Sequence, residues 1–536
     1  MNDAKTPAAG LAAALQTAGV NQVFGHPGGE VVDLIEALAQ AGITFTLTGH
    51  ESAAAFMAAT VGRLTGQPGV CLATLGPGAC NLVLGVGCAY LDRDPLLALS
   101  ARTGTQRERV SQKQNLPLNA LFAPISKWSV ALDGTATTAN MQAALRVALT
   151  PPRGPVYLSL PADVAIGSET TGQPLQPPAA IASDDGSLAE VAAALQRARR
   201  PVVVVGLALS PERDAPAIRL FLAETGLPYA VLPQAKGVVD EDGAMYLGAV
   251  APGAGDAHIV ARLLEADCLL GLGFDPVESS QDWHYQQPVY NLANATARFG
   301  DYAPALECTG DVTDLVQRLA ALYDGGHGWV ADDAAETRQR VAAAITPPAS
   351  AGRAGLSPFH LIRAVQQALP PDTTVSLDVG AHKMLMGQAW QARRPNAFLV
   401  SNGLSAMGYG LPAALAAALV RPHQPVVAVL GDGGFAMMVQ ELETARRLGV
   451  SPLFIVLCDR SLAVIKVAQA VRGLAFRGVD FAPVDWVRVA EGFGVRGETA
   501  ATLGEVERVI AGWLAQPEPL VMAVPIDETL YAGLTY

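Results

Sequence analysis

The sequence predicts an α/β protein of three domains, each a mostly parallel β-sheet flanked by helices. Short apolar runs of strand length alternate with alanine-rich segments of helical length along the chain. Two polar, proline-containing stretches, 167–185 and 346–357, interrupt this alternation and indicate linkers. At 536 residues the chain is also too long for a single hydrophobic core. We therefore expect domains at 1–168, 187–345 and 356–536.

Composition and charge restrict the class of protein. Apolar residues make up 50% of the chain and charged residues 16%, which favours large buried cores over disorder. A net charge of −13 without clusters of Lys and Arg argues against nucleic acids and anionic membranes as partners. The six cysteines lack C-x-x-C spacing, as is typical of reduced thiols. Because no signal-like or membrane-length apolar segment is present, we expect a cytoplasmic protein.

The first domain contains a glutamate at the start of a predicted helix. The predicted strands are Ile43–Leu47, Val70–Thr74, Leu96–Leu99 and Val156–Leu160. The predicted helices are Ser52–Leu64 and Ala79–Tyr90. A glutamate at the position of Glu51 often only complements the helix dipole. Its apolar neighbours Ala53, Ala54 and Phe56 would leave the carboxylate poorly solvated, which suits proton exchange. The residues alone leave both interpretations open.

The third domain carries the most informative pattern of the chain. Apolar runs at Val426–Leu430 and Leu453–Leu457 predict strands, and a single amphipathic helix is predicted between Phe435 and Leu448. A strand–helix–strand unit of this kind places its two strands in parallel. Asp432 and Asp459 would then both follow the carboxyl ends of neighbouring strands, beside Gly433 and Gly434. Two carboxylates next to glycine backbone amides suit a divalent metal that carries a diphosphate.

Two further segments of the third domain are candidates for ligand contact. His382 follows the predicted strand Thr374–Leu377 and is either a diphosphate ligand or a loop histidine with its hydrogen bonds satisfied. Met407 lies between glycines at the start of a predicted helix. A methionine in such an apolar segment usually belongs to the core, but this position also suits a wedge beneath a bent cofactor.

Together these motifs resemble the thiamine-diphosphate-dependent enzymes, most closely the flavin-independent, catabolic acetolactate synthases. The metal motif of that family begins Gly-Asp-Gly and commonly ends in a pair of asparagines, where this chain has Asp459 as the second member. Further stretches that resemble the same branch are Phe56–Gly66, Gly271–Glu278 and Val479–Asp485. The resemblance runs in order along the whole chain and implies the thiamine-diphosphate-enzyme fold.

The resemblance implies a role for individual residues. Glu51 matches the glutamate that hydrogen-bonds the aminopyrimidine ring and promotes removal of the thiazolium C2 proton. Asp432, Asp459 and the Ser461 carbonyl match the Mg²⁺ ligands, and Met407 matches the residue that holds the cofactor bent. Implied contacts with the cofactor also come from Pro27, Gly28, Gly380, Ala381, His382, Ala406, Gly433, Gly434 and Leu462. The central domain has Gly206 and Gly273 but no dense glycine pattern, which disfavours FAD.

The substrate is less well defined than the cofactor. Arg102 and Lys113 replace residues typical of other acetolactate synthases, and they either bind an anionic substrate together or are solvated loop charges. His26 is a candidate acid or base, or a loop histidine that caps a helix. The acceptor substrate and the roles of these three residues stay open.

The resemblance implies a carboligase that decarboxylates a 2-oxo acid such as pyruvate and couples the resulting carbanion to a second carbonyl compound. The alternatives are a 2-oxo acid decarboxylase that protonates the carbanion, or a non-catalytic relative. In this family the glutamate serves a cofactor held by the partner subunit. The resemblance therefore implies a homodimer with active sites at the subunit interface, and we expect the dimers to form a tetramer.

Overall fold

Three parallel six-stranded sheets flanked by helices make up the fold and confirm the predicted fold class. The computed structural model describes residues 6–179, 186–279, 287–296, 300, 302–347 and 355–533. Residues 180–185 of the first predicted linker and 348–354 of the second lie outside this part of the chain.

The first sheet has all its neighbouring strands in parallel. Its strands are β1 (Gln22–His26), β2 (Thr44–Leu47), β3 (Gly69–Ala73), β4 (Leu96–Arg102), β5 (Trp128–Ala131) and β6 (Pro155–Pro161). Their order across the sheet is β2-β1-β3-β4-β6-β5. The helices in this part of the chain are α1 (Pro7–Thr17), α2 (Val32–Gln40), α3 (Glu51–Thr65), α4 (Pro77–Leu91), α5 (Thr105–Glu108), α6 (Leu118–Phe122), α7 (Thr137–Leu149) and α8 (Ala162–Ala165).

The second sheet lies between two apolar cores, one on each face. Its strands are β7 (Pro201–Val205), β8 (Tyr229–Val231), β9 (Tyr246–Ala249), β10 (Cys268–Leu272), β11 (Val289–Ala293) and β12 (Leu306–Thr309). Their order is β12-β11-β10-β7-β8-β9. The helices are α9 (Leu188–Arg197), α10 (Pro211–Thr225), α11 (Asp256–Glu265), α12 (Val312–Ala320) and α13 (Ala331–Ile345). The run of valines in β7 suits a strand buried on both faces.

The third sheet repeats the topology of the first. Its strands are β13 (Thr374–Leu377), β14 (Phe398–Val400), β15 (Val426–Gly431), β16 (Leu453–Cys458), β17 (Arg496–Thr499) and β18 (Leu520–Pro525). Their order is β14-β13-β15-β16-β18-β17. The helices in this part of the chain are α14 (Pro358–Ala368), α15 (Ala381–Ala389), α16 (Gly410–Val420), α17 (Asp432–Met438), α18 (Glu441–Leu448), α19 (Ala463–Val471), α20 (Trp486–Gly492) and α21 (Leu503–Ala515).

The shared strand order places a topological switch point in both sheets. In the first sheet the order reverses between β1 and β3, and in the third between β13 and β15. Open α/β sheets bind ligands in the crevice outside the carboxyl ends of the strands at such a point. The loops after these four strands are therefore the expected ligand-binding segments, and most of the predicted site residues lie in or next to them.

The chain forms two compact units that do not follow the order of the sequence. One unit consists of Met1–Ala180, Gly403–Pro422 and Met438–Val450. The other consists of Ile181–Asn402, His423–Met437 and Ser451–Tyr536. Helices α16 and α18 therefore belong to the unit that contains the first sheet, and α16 packs there on α3.

Most predicted strands begin and end within one or two residues of the observed ones, but two local predictions were wrong. The single helix expected between Phe435 and Leu448 is two helices, because α17 ends at Met438 and α18 begins at Glu441. Phe435 and Leu442 are both fully buried, and no Gly or Pro marks the break, so the apolar spacing did not reveal it. The strand expected to end at Leu99 continues to Arg102.

Two other expectations concern the cysteines and the membrane. All six cysteines are free thiols, and four of them are buried. In the described ranges, no helix combines the length and the apolar character that crossing a membrane requires.

Candidate cofactor and metal site

Two carboxylates follow the ends of neighbouring strands in the third sheet, as predicted. Strands β15 and β16 are paired in parallel, and Asp432 and Asp459 are the next residues after them. The Oδ2 atom of Asp432 accepts a hydrogen bond from the Arg460 amide at 2.7 Å. Its Oδ1 atom is buried and has no hydrogen-bond partner among the described residues. A buried carboxylate oxygen without a donor is unfavourable unless a cation or a ligand meets it.

The electrostatics of the pair favour a cation. Burial and, secondly, the charge of Asp432 raise the pKa of the Asp459 carboxyl to about 7. Burial also raises the pKa of Asp432. The Ser461 amide opposes the shift at Asp459, to which it donates a hydrogen bond at 2.9 Å. Two close carboxylates that resist ionisation are neutralised well by a divalent ion.

A metal at this place would need oxygen ligands besides the two carboxylates. Within the described ranges, no group of three or more His, Cys, Asp or Glu side chains is arranged to hold an ion. Backbone carbonyl and diphosphate oxygens are suitable additional ligands for Mg²⁺. The donor set therefore fits an ion that arrives with a phosphate group.

The two glycines after Asp432 leave room that a side chain would fill. A Cβ atom on Gly434 would lie 2.2 Å from Oδ2 of Asp378, so any other residue here would have to displace the Asp378 side chain or the loop. A Cβ on Gly433 would lie 3.2 Å from the Phe481 ring and 3.3 Å from Leu462. The bare backbone amides here suit close approach of a phosphate, and Leu462 lies next to them.

His382 lies at the start of α15, beside the end of β15. Its side chain is buried, and its Nε2 atom has no hydrogen-bond partner in the described part of the chain. Burial lowers the pKa of this histidine to about 4, so the ring is neutral near pH 7. A Cβ on Gly380 would lie 2.8 Å from the ring, and one on Gly431 3.4 Å from it. Gly380 and Ala381 therefore bring this ring to the switch point between β13 and β15.

Glu51 lies in the other unit, at the first residue of α3. Glu51 is only 7% exposed, and its Oε2 atom accepts a hydrogen bond from the Asn81 side chain at 2.9 Å. His50 caps the helix, because its Nδ1 atom accepts a hydrogen bond from the Ser52 amide at 3.1 Å. A Cβ on Gly78 would lie 3.1 Å from Oε1 of Glu51. The first turn of α4 thus lies against the glutamate.

The end of β1 and the loop after it carry three predicted site residues. His26 is the last residue of β1, and its Nδ1 atom lies 2.8 Å from the Thr48 carbonyl. Because a carbonyl oxygen only accepts, Nδ1 carries the hydrogen of this bond, and Nε2 stays available. Pro27 and Gly28 follow, and a Cβ on Gly28 would lie 2.4 Å from Oγ1 of Thr74. The two loops at this switch point are therefore closely packed.

The segment with Ala406 and Met407 lies between β14 and α16. Ala406 is buried, whereas Met407 is half-buried and precedes the helix by three residues. The amide of Gly403 donates a hydrogen bond to Oδ1 of Asp92 at 2.7 Å, which ties this segment to the end of α4.

Arg102 and Lys113 lie in different surroundings. Arg102 is the last residue of β4, is partly buried and forms an ion pair with Glu108 at 3.5 Å. The Lys113 side chain is exposed, in the turn region between α5 and α6. Arg102 therefore has an anionic neighbour, Glu108. No contact among the described residues brings Arg102 and Lys113 together, so their joint binding of a substrate stays a prediction.

Three residues of the site were missed from the sequence. Asn81 binds Glu51, Asp378 borders Gly434, and Glu441 accepts a hydrogen bond from the amide of Gly49 at 3.0 Å. Asp378 directly follows β13 and was therefore detectable by the rule that identified Asp432. Asn81 and Glu441 are distant in sequence from their partners, and nothing in their own segments marks them.

Comparison with known proteins assigns the chain to a family. Models of the N-terminal thiamine pyrophosphate binding domain, the central domain and the C-terminal thiamine pyrophosphate binding domain of thiamine pyrophosphate enzymes match residues 5–121, 188–319 and 378–524. The catabolic acetolactate synthase of Raoultella terrigena is 31% identical over 96% of this chain and 93% of its own length.

Two further relatives show the range of activities in this family. An acetolactate synthase of Bacillus subtilis (strain 168) is 30% identical over 95% of this chain and 91% of its own length. A probable 2-ketoarginine decarboxylase, AruI, of Pseudomonas aeruginosa is 29% identical over 96% of this chain and 93% of its own length. The chain therefore belongs to the thiamine-diphosphate-dependent enzymes, with both acetolactate synthases and a probable decarboxylase among its relatives.

Proposed function

We propose that the protein is a thiamine diphosphate- and Mg²⁺-dependent carboligase of the acetolactate synthase type. It decarboxylates a 2-oxo acid such as pyruvate and joins the remaining acyl unit to a second carbonyl compound. The observation that carries the proposal is the pair of carboxylates after β15 and β16, one of which has a buried oxygen without a donor. The similarity to two acetolactate synthases over nearly the whole chain supports the choice of reaction.

The metal and the diphosphate are assigned to the switch point of the third sheet. Asp432, Asp459 and the Ser461 carbonyl would hold Mg²⁺, and Gly433 and Gly434 would present their amides to the diphosphate. His382 supports this assignment, because its buried ring is neutral and has a free Nε2 atom. A neutral ring adds no charge beside the proposed diphosphate, and its Nε2 atom is available to a ligand.

The remaining predicted site residues are proposed to contact the thiamine part of the cofactor. Thiamine diphosphate, when bound, supplies the electron sink that decarboxylation of a 2-oxo acid requires. Glu51 would exchange a proton with the aminopyrimidine, and its near-complete burial keeps competing water away from that proton. The remaining proposed contacts with the cofactor are Pro27, Gly28, Gly380, Ala381, Ala406, Met407 and Leu462.

Substrate contacts are proposed for three side chains. The neutral ring of His26 carries its hydrogen on Nδ1, which donates to the Thr48 carbonyl, so Nε2 can accept a proton. In this state it can take up or return a proton during coupling. Arg102 would bind the substrate carboxylate by exchanging its contact with Glu108 for the ligand, and Lys113 would add a second charge.

A 2-oxo acid decarboxylase is the second candidate function. The relative named a probable 2-ketoarginine decarboxylase covers the chain as fully as the acetolactate synthases do. Arg102 supports this candidate to the same degree, because either reaction begins with a substrate carboxylate. A non-catalytic role is the third alternative. It does not explain why Glu51, Asp432 and Asp459 are all present.

The proposed mechanism also bears on the assembly. We propose a homodimer in which Glu51 of one subunit serves the cofactor bound by the third sheet of its partner, with two dimers forming a tetramer. The protein would act in the cytoplasm without FAD. Sedimentation of the protein with and without thiamine diphosphate and Mg²⁺ tests the dimer, and a monomer that retains full activity contradicts it.

Product analysis separates the candidate reactions. The protein is incubated with thiamine diphosphate, Mg²⁺ and pyruvate, and the products and CO₂ are quantified. A carboligase releases one CO₂ for every two pyruvates and forms acetolactate. A decarboxylase releases one CO₂ per pyruvate and forms free aldehyde. Mixed 2-oxo acid donors and aldehyde acceptors, analysed by mass spectrometry, then identify the preferred pair.

A further inference from the structure

The turn that leads into Glu51 is held at several of its polar backbone groups. The Leu47 carbonyl accepts a hydrogen bond from the Arg447 guanidinium at 2.7 Å, and the Gly49 amide donates one to Oε2 of Glu441 at 3.0 Å. Between them, the Thr48 hydroxyl donates to the His50 carbonyl at 3.0 Å. The turn between β2 and α3 is therefore fixed from outside as well as from within.

Both outside contacts come from one helix of the same unit. Glu441 and Arg447 lie in the first and last turns of α18, with Thr444 between them. The Thr444 hydroxyl donates a hydrogen bond to Oε2 of Glu441 at 2.7 Å and so orients the carboxylate. A Cβ on Gly49 would lie 2.6 Å from the Gln440 side chain and 3.0 Å from Oε1 of Glu441. The helix and the turn are thus in direct contact.

The burial of Glu441 is costly and calls for a reason. The residue is completely buried, and its Oε1 atom has no hydrogen-bond partner in the described part of the chain. Burial raises the pKa of this carboxyl, although the Thr444 hydroxyl and the Gly49 amide oppose the shift. A hydrophobic residue at this place in α18 would pack without that penalty. The buried carboxylate accepts hydrogen bonds from the Thr444 hydroxyl and the Gly49 amide, and the second of these reaches the turn before Glu51.

We propose that Glu441 is a positioning residue for Glu51, which acts by fixing the Gly49 amide and with it the first turn of α3. This inference rests on the proposed proton-exchange role of Glu51. Arg447 supports the same turn at the Leu47 carbonyl. Because Glu51 is two residues after Gly49, a shift of the turn moves its carboxylate directly.

The size of the effect follows from the demands of proton transfer. Misplacement of a reacting group by about 1 Å can cost on the order of 100-fold in rate. A glutamine at position 441 retains an oxygen that can accept the Gly49 hydrogen bond, whereas an alanine does not. Glu441→Gln should therefore largely preserve the position of Glu51, and Glu441→Ala should lose it.

The first test uses the cofactor-free protein and does not depend on activity. Amide hydrogen exchange is measured by mass spectrometry on peptides that span Leu47–Ser52. Glu441→Ala should speed exchange there by about tenfold, whereas Glu441→Gln should stay within about threefold of the wild type. Glu36→Ala, which removes an exposed glutamate of the same unit, is the matched control. Wild-type exchange in peptides from β4 shows that the variants are folded.

The second test measures exchange of the C2 proton of bound thiamine diphosphate in D₂O at saturating cofactor. Glu441→Ala should slow it by about 10- to 100-fold, Glu441→Gln should remain near the wild type, and Glu51→Gln provides the fully impaired reference. A wild-type rate in Glu441→Ala, or a Glu441→Gln variant as slow as the alanine variant, overturns the positioning role. An unchanged rate in Glu51→Gln overturns the proposed role of Glu51, and this inference with it.

Discussion

The side-chain amide of Asn81 donates a hydrogen bond to Oε2 of Glu51 at 2.9 Å. Asn81 lies in the first half of α4 and Glu51 is the first residue of α3, so two helices that pack together jointly orient the carboxylate. With Oε2 occupied, Oε1 is the oxygen left for a ligand, next to Gly78. Orientation of Glu51 is therefore a property of the folded unit and does not depend on the cofactor.

Removal of the Asn81 amide should weaken catalysis without unfolding the protein. A hydrogen bond to a charged group contributes about 1.5–3 kcal/mol, so we expect Asn81→Ala to lower kcat by about tenfold or more. The Asn81 carbonyl would still accept the Ser52 hydroxyl, which preserves the contact between the helices. Steady-state kinetics at saturating thiamine diphosphate measure the effect. A wild-type kcat would mean that Glu51 needs no help from Asn81.

Two substitutions of Asp459 should distinguish its role as a metal ligand from the effect of its negative charge. Asn retains an oxygen ligand and removes the repulsion with Asp432, whereas Ala removes the ligand. We expect Asp459→Asn to bind thiamine diphosphate with Mg²⁺ within about threefold of the wild type, and Asp459→Ala to lose at least about tenfold. Titration of the cofactor at fixed Mg²⁺, followed by protein fluorescence, gives the affinities. Equal affinity in Asp459→Ala and wild type would exclude Asp459 as a ligand.

His382 should make the stability of the cofactor-free protein depend on pH. Burial lowers the pKa of its ring from 6.5 to about 4. Between pH 6.5 and pH 4 the histidine is protonated in the unfolded chain but not in the folded protein. The free energy of unfolding is therefore highest above pH 6.5 and declines as the pH falls toward 4. Urea unfolding at pH 7.5 and 5.0 should show that His382→Gln removes about 2 kcal/mol of this decline. The same decline in variant and wild type would contradict burial of a neutral ring.

Glycine at 434 should be required for folding of the metal loop. An added Cβ would lie 2.2 Å from the Asp378 carboxylate, so Gly434→Ala should displace one of the two and abolish binding of thiamine diphosphate. Gly512→Ala is a matched control, because Gly512 lies within α21 and a Cβ there meets nothing within 4 Å. The control should raise the free energy of unfolding by about 0.5–1 kcal/mol. Calorimetric titration with the cofactor compares both variants, and normal binding by Gly434→Ala would contradict the contact with Asp378.

Much of the fold could be predicted because local patterns carry it. Apolar runs of strand length mark the strands, and β13 was predicted with its observed bounds. Asp432 and Asp459 could be placed because the carboxyl ends of adjacent parallel strands meet at one edge. The break between α17 and α18 could not be predicted, since it follows from tertiary contacts and no helix-breaking residue marks it.

The support of the site was not predictable from local sequence. The hydrogen bond between Gly49 and Glu441 joins residues 392 positions apart. The interpretation of Arg102 as a solvated loop charge was open in the sequence, and the structure places it at the end of β4 with Glu108. Such pairings depend on which surfaces the folded chain brings together, and a single sequence does not record them.

The most direct test of the proposed function is the balance of products from pyruvate. The protein is supplied with thiamine diphosphate and Mg²⁺, and acetolactate, aldehyde and CO₂ are measured together, with Asp432→Ala as the control that lacks a proposed metal ligand. We predict acetolactate with one CO₂ for every two pyruvates consumed, and no product from the control. Free acetaldehyde with one CO₂ per pyruvate, or equal product from Asp432→Ala, would contradict a carboligase built on this site.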